Sequence, residues 1–430
     1  MIGSLDSTKR EVTIIGAGIS GLLSAYELDK QGYRVTLLER KERSGGLIQT
    51  MRTRYGMAES AAHSLLASKG VVNLCRELGV EFLEVRKESR ARFILRDGRL
   101  SRFPLHVGEA VSALGRAAFA RSENGLGQLS LDEWARRHLG DAALQYLFTP
   151  FVRGIYGAQP SEIGVAAAFP TLAVPHGQTL LGAMLRKTFK RPSSEAGGEK
   201  EKARRMVAPR YGMGDLVGRL EKHLETRLGD RFRRGVELKG LVDSPNLLIA
   251  TPSYVASKLL EAEAQALSAS LREIAYTPIV SVTAFVSRDD FTRPVSGIGV
   301  LVPACEGRKC LGILFNSSSF EGRVADESRY ASFTILLGGS SQPEWISATD
   351  EEIGTAVREE LSALLGIQGE PLEMIISRWP QAIPQYSTAL PRVWQQARES
   401  WCARPGRLLF GNYTGQVSLR GMIESAASMC

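Results

Sequence analysis

The chain has 430 residues, 43% hydrophobic and 23% charged, which excludes wholesale disorder and, at ~150 residues per domain, points to two or three domains. Lys and Arg number 54 against 46 Asp and Glu, a net charge of +8 that favours anionic partners such as acidic lipid, nucleic acid or carboxylate substrates without choosing among them. The five scattered cysteines argue against a disulfide framework and for a reducing compartment, and no second Cys/His pair joins Cys305 and Cys310 at zinc spacing.

Residues 1–11 are polar and charged, so no signal peptide is expected. No apolar run approaches the ~20 residues that span a bilayer. Val12-Thr13-Ile14-Ile15 is a β-branched run that stops at glycine. Apolar positions then recur at helical spacing through Leu22, Leu23, Ala25, Tyr26 and Leu28, and residues 34–38 read as a second buried strand. This strand–turn–helix–strand order opens a doubly wound sheet. Its turn, Gly16-Ala17-Gly18-Ile19-Ser20-Gly21, has the G-x-G-x-x-G spacing of a dinucleotide site. Gly16 permits the tight turn, Gly18 lets backbone approach a pyrophosphate, and Gly21 lets helix and strand pack closely. The helix start offers free N–H groups to phosphate. Glu39, about 20 residues on, can accept hydrogen bonds from ribose hydroxyls.

Residues 92–95, the turn Asp97-Gly98 and residues 99–103 predict a hairpin. Residues 107–156 are helical in texture, with Ser130 and Glu133 spaced as a capping box. Residues 190–205 carry almost no apolar side chains and read as a mobile linker. A helix is expected over 214–227 and a buried strand over 247–250. Residues 279–286, 299–302, 310–315 and 333–337 read as successive strands of an antiparallel sheet, with Cys305 and Cys310 in a polar turn between two of them. Residues 408–411 read as a late strand, and the tail from Met422 as a helix.

The glycine fingerprint serves NAD and FAD alike. Arg43-Ser44-Gly45-Gly46, directly after the second strand, lets a loop pass close to a pyrophosphate and is similar to the R-x-G-G element that accompanies FAD in the amine oxidase superfamily of flavoproteins. Later segments add to this: Pro150 to Gly157 running on to Ala168-Phe169-Pro170, then Gly299 to Pro303, Leu311 to Ser317, Leu337-Gly338-Gly339, Trp379 to Tyr386 and Gly411-Asn412-Tyr413. In this order they resemble the protoporphyrinogen oxidase family, collinearly over nearly the whole chain.

The resemblance implies an α/β fold with a Rossmann-like FAD-binding domain assembled from residues 1–91, 207–275 and 391–430. It also implies an antiparallel-sheet substrate domain, made of a hairpin at 92–106 and residues 276–390. An inserted helical domain, 107–187, would rest on a membrane, and 188–206 would link it onward. FAD is expected against Gly16, Ala17, Gly18, Ile19, Ser20, Gly21, Glu39, Arg40, Gly45, Gly46, Leu238, Gly411, Val417, Ser418 and Leu419. The implied substrate is a porphyrinogen, with dioxygen as acceptor. Arg92, Gly154, Leu311 and Leu336 would hold it in a wide apolar cavity with cations at the rim, since a guanidinium suits a propionate. Arg92 reads equally well as a solvent-facing strand arginine, and the two leucines as core.

Electron-rich pyrroles need orientation more than an acid or base, so no catalytic residue and no metal is expected. The expected partners are the porphyrinogen, dioxygen and an anionic membrane surface, in the cytoplasm or peripherally on the inner face of a membrane. A homodimer is compatible with the chain; a nucleic acid is not expected, because the basic residues are dispersed. Two segments depart from the family. Glu59-Ser60-Ala61-Ala62-His63 replaces an acidic residue followed by Gly-Pro and a basic side chain, leaving His63 either a flavin-side cation or a helix-start or surface histidine. Near the C-terminus Arg420-Gly421 stands where the family has Asn-Asp. Coproporphyrinogen III oxidation, amine oxidase or carotenoid desaturase chemistry, and flavin or porphyrin binding without turnover stay open.

Overall fold

A computed structural model describes residues 1–122, 129–172, 174–189 and 205–429, with the side chains of 187–189 left aside. Of the predicted linker, 190–204 lie outside these residues; 188 and 189 end the helix Leu180–Phe189, and Met206 opens the strand Met206–Pro209.

A five-stranded parallel sheet runs Phe232–Arg233, Arg34–Leu38, Glu11–Ile15, Asn246–Ile249, Arg407–Leu409. Three distant parts of the chain thus build one sheet. Its β-branched and leucine runs are buried on both faces, as a parallel sheet requires. In register, Ile14, Leu248 and Leu408 point to one side, where the helices Ile19–Lys30, Met213–Leu228 and Leu419–Ala427 pack. Ile15, Ile249 and Leu409 point to the other, against Ser253–Leu260 and Gln265–Arg272. The Met213–Leu228 helix forms because Leu216, Leu220 and Leu224 recur every fourth residue, all 0% exposed. Its first N–H, from Met213, donates to the Glu59 carboxylate at 2.8 Å.

A seven-stranded sheet has the order Glu373–Pro384, Tyr276–Ser287, Tyr330–Gly338, Cys310–Leu314, Gly299–Leu301, Arg92–Arg96, Arg99–Ser101. The predicted hairpin forms, with Asp97 and Gly98 both at positive φ (52° and 71°), as a tight two-residue turn demands. Its second strand stops at Ser101, short of residue 103. Two further expectations change. The sheet is not wholly antiparallel, since Gly299–Leu301 runs parallel to Arg92–Arg96. Residues 373–384, met only as a motif, form an edge strand. A register shift falls between Thr277 and Ile279, at Pro278, which has no N–H to give the ladder.

One face of this sheet packs Val280, Val282, Val300, Ile313 and Ile335 against Ile353, Val357 and Leu361 of the Asp350–Leu365 helix. The other face carries Arg92, Gly299, Leu314, Thr334 and Thr283 in one register row and Leu301, Gly312, Leu336 and Ser281 in the next. Above it lie residues 57–64 and the Thr149–Tyr156 helix. The Ser130–Glu133 capping box forms as read, with Ser130 Oγ accepting from the Glu133 N–H at 3.3 Å and Glu133 accepting from the Ser130 N–H at 2.9 Å. The C-terminal helix begins at Leu419, three residues before the predicted start, because Ser418 caps it by accepting from the Gly421 N–H at 3.1 Å.

Candidate functional site

The carboxyl ends of the parallel strands converge at one crevice, where open α/β sheets bind ligands. Ile15 runs into Gly16, Leu38 into Glu39, and Leu409 into Phe410 and Gly411. Gly16 takes φ +100°, and its N–H donates to Leu38 O at 2.7 Å. A Cβ on Gly21 would stand 1.8 Å from Gly16 O, so helix and turn touch backbone to backbone. Gly18 is the N-cap of the Ile19–Lys30 helix and has no side chain to accept from its first N–H groups; no acidic residue occupies the first turn. The loop after the second strand is laid against it: the Gly45 N–H donates to Ala17 O at 2.8 Å, and a Cβ on Gly46 would lie 3.3 Å from Gly18 Cα.

Bare backbone on both sides, uncapped N–H groups and a positive dipole end suit a pyrophosphate. Any side chain at Gly18 or Gly46 would occupy its approach. Glu39 closes the turn with Oε2 accepting from the Ala17 N–H at 2.7 Å and Oε1 from the Lys41 N–H at 2.9 Å. Beside it, the Val236 N–H bonds Glu39 O at 2.9 Å, which brings Leu238 close, and Arg40 pairs with Glu237 at 3.7 Å on the surface. Ser20 Oγ meets Met422 Sδ at 3.4 Å, which places the C-terminal helix, with Val417, Ser418 and Leu419 at its start, beside the same turn. The residues present fit a flavin dinucleotide.

The predicted substrate residues share the inner face of the seven-stranded sheet without converging on a wide chamber. Arg92 is exposed on the last-but-one strand. It lies directly across bare Gly299 from Leu314. Leu311 is 1% exposed and packs with Ile279, Ala382 and half-buried Leu336, forming floor rather than a reachable surface. Gly154 rests on Leu301, whose Cδ2 a Cβ would meet at 2.5 Å. The hollow over this face encloses a cavity of about 30 Å³ and is lined by Met57, Glu59, His63, Leu314, Asn316 and Arg323, among others. That is far below the ~300–1,000 Å³ of small-molecule pockets. It also holds Glu59, His63 and Arg323 inside rather than cations at the rim alone, because residues 57–64 fold over the sheet; Trp379 Nε1 donates to Ser60 O at 2.7 Å and pins them there.

His63 is half-buried and not a free surface histidine. Its Nε2 is sealed from solvent with no hydrogen-bond partner, and burial, with the Arg323 charge adding to it, pushes its pKa down to about 4. Glu59 is 7% exposed; burial raises its pKa although the Met213 N–H and the Thr50 hydroxyl both donate to it. Arg323, which no motif marked, is 4% exposed and lines the hollow.

The profile of the family described as flavin containing amine oxidoreductase matches residues 19–428. The chain is 26% identical to protoporphyrinogen oxidase 2, chloroplastic/mitochondrial, of Arabidopsis thaliana over 97% of its own length and 92% of that protein. It is 27% identical to the mitochondrial protoporphyrinogen oxidase of Nicotiana tabacum, over 98% and 94% respectively. Cyclohexylamine oxidase from Brevibacterium oxydans IH-35A shares the fold, with a TM-score of 0.68 at 16% identity over 98% of each chain.

Proposed function

The chain belongs to the flavin containing amine oxidoreductase family and is an FAD-dependent oxidase, and on that premise we propose that it oxidises protoporphyrinogen IX to protoporphyrin IX with dioxygen as acceptor. The observation that carries the reading is the inner face of the seven-stranded sheet, where Arg92, bare Gly299, Leu314 and Leu336 lie in adjoining register rows below residues 57–64. Bound at the Gly16–Gly21 turn and the Gly45-Gly46 backbone, FAD supplies a two-electron acceptor that dioxygen regenerates.

The chain's own contribution is placement. Arg92 holds a propionate at the rim through its planar guanidinium. Leu336 and Leu314 present an apolar surface to the macrocycle above the Leu311 floor. The 60–63 segment, pinned by Trp379, excludes water from the reacting edge. Substrate pyrroles supply the electrons and release their own protons, so the reaction asks for orientation rather than a strong acid or base.

The helices Val107–Phe119 and Leu180–Phe189, with the connection before the first, carry a face that suits peripheral contact with an anionic membrane from the cytoplasmic side. Phe103, Val107 and Phe119 are 89%, 83% and 83% exposed, and Leu114, Leu181 and Leu185 add to them. Among the described residues no helix is long and apolar enough to cross a membrane.

The test is anaerobic mixing of the purified yellow protein with protoporphyrinogen IX. Loss of the flavin absorbance at turnover speed, and its return on admitting air, supports the reading; an unbleached flavin overturns it. Arg92→Ala should raise KM and leave flavin content unchanged. A second reading, coproporphyrinogen III, draws on Arg323: a further cation inside the hollow suits a substrate with more carboxylates. Relative kcat/KM on the two porphyrinogens separates them.

A further inference from the structure

The polar groups over the inner sheet face share an unusual property: several lack partners. His63 Nε2, Ser281 Oγ and Ser332 Oγ are buried with no hydrogen-bond partner, and such groups are rare because each costs its lost hydration. Arg323, 4% exposed, lines the same hollow as His63. Among the described residues its hydrogen-bond acceptors are the Met57 thioether at 2.9 Å and the Pro209 carbonyl at 3.0 Å, not a carboxylate. A thioether is a weak acceptor, and a guanidinium keeps its charge even when burial lowers its pKa. Buried Glu360, 1% exposed, takes Arg308 at 3.0 Å, whereas Arg153, 3% exposed, is like Arg323 in bonding a carbonyl, that of Val302 at 3.0 Å, and does not face this hollow. Arg323 instead lies over the Phe320 ring at 5.4 Å, which orients its plane, and faces the hollow that His63, Asn316 and Glu59 also line.

Resting on the porphyrinogen reading, we propose that Arg323 is an inner anion subsite that receives one carboxylate of the substrate while Arg92 holds another at the rim. The chemistry favours a monoanion. Arg323 is the one cation among the lining residues, His63 beside it is neutral, and Glu59 would repel a dianion. Glu59 attracts Arg323 through space but does not bond it: its oxygens accept from the Met213 N–H and the Thr50 hydroxyl, so no carboxylate oxygen occupies the guanidinium. Asn316 gives one amide hydrogen to Thr334 Oγ1 at 2.9 Å and keeps the other for a ligand. The strand of Arg92 lies two strand spacings, about 10 Å, from that of Leu314 on the wall of the hollow. One tetrapyrrole with two acidic arms can bridge that span.

The experiment uses the flavin-loaded enzyme and two air-stable probes, protoporphyrin IX and its dimethyl ester, with binding read by quenching of tryptophan fluorescence. Arg323→Met should weaken the diacid ~10–100-fold, the range of a charge-assisted hydrogen bond, and the ester less than about twofold on the same scale. Arg323→Lys should recover part of the diacid affinity. Flavin content should be unchanged, and the unliganded melting temperature equal to or above wild type, because no ion pair is broken. Unchanged diacid affinity in Arg323→Met overturns the subsite. So does loss of flavin, or equal weakening of both probes with a lower melting temperature, which marks Arg323 as structural. A wild-type protein that binds neither probe removes the porphyrinogen reading itself, and the subsite with it.

Discussion

Two glycines in one turn should fail in different ways. At Gly21 an added Cβ would stand 1.8 Å from Gly16 O and 2.9 Å from Gly16 C, against about 3.5 Å or more for an unstrained contact. Both neighbours are backbone, so no rotamer relieves the overlap, and the Ile19–Lys30 helix must withdraw by more than about an ångström. That helix buries Leu22, Leu23 and Leu28, each at most 1% exposed. Gly21→Ala is therefore expected to cost about 3 kcal/mol, the upper end for overpacking, and to lose flavin as a consequence. Gly18 differs. It sits at φ −66°, ψ 176°, open to any residue, and its Cβ would meet nothing nearer than Gly46 Cα at 4.0 Å. Gly18→Ala should cost the fold no more than ~1 kcal/mol as a poorer N-cap, while its methyl stands where the pyrophosphate must approach. Titration of FAD into apoprotein should show at least a tenfold weaker Kd, about 1.4 kcal/mol, with the apoprotein melting near wild type. A Gly18→Ala protein that binds FAD as tightly as wild type would refute the placement of the phosphates; an undisturbed Gly21→Ala would refute the packing argument.

His63 should make the protein acid-sensitive. Its folded pKa of about 4 lies below the ordinary 6.5, so the unfolded chain binds the extra proton and stability falls as pH drops through that window, by at most ~3 kcal/mol. Urea unfolding at pH 7 and pH 5 should show a smaller loss in His63→Gln; an identical loss refutes a buried neutral histidine. Trp379→Phe removes the bond to Ser60 O, worth about 1 kcal/mol, and should lower kcat with flavin content intact. Glu109 has its pKa held down to about 2, chiefly by Arg96, which bonds it at 2.7 and 2.9 Å. Its stabilising effect is present above the ordinary carboxylate range and lost as pH falls toward 2. Allowing for its partial exposure, Glu109→Gln should cost about 1 kcal/mol and speed proteolysis within Val107–Phe119.

What could be read in advance was what neighbours in sequence decide. Val12 to Gly21 is a strand, a turn and a helix within ten residues, and each glycine has a local reason, so the crevice was legible before any contact was known. The hairpin at Asp97-Gly98 and the capping box at Ser130 belong to the same class. The parallel pairing of Gly299–Leu301 with Arg92–Arg96 joins segments some 200 residues apart, about which periodicity is silent. The Glu373–Pro384 strand was hidden because its residues are mostly half-buried and carry Arg378 and two prolines, a pattern that resembles a loop. Arg323 was invisible for the same reason in sharper form: in Glu321-Gly322-Arg323 it reads as a turn arginine, and its hydrogen-bond acceptors, Met57 and Pro209, come from two other parts of the chain. His63 is a second case. Read alone, His63 could be a cation; its own burial, with the Arg323 charge adding to it, makes it neutral. The polarity of the hollow is thus set by pairs of residues far apart in sequence, whereas the dinucleotide turn is set by residues side by side. The cofactor was therefore the easier inference, and the substrate the harder one.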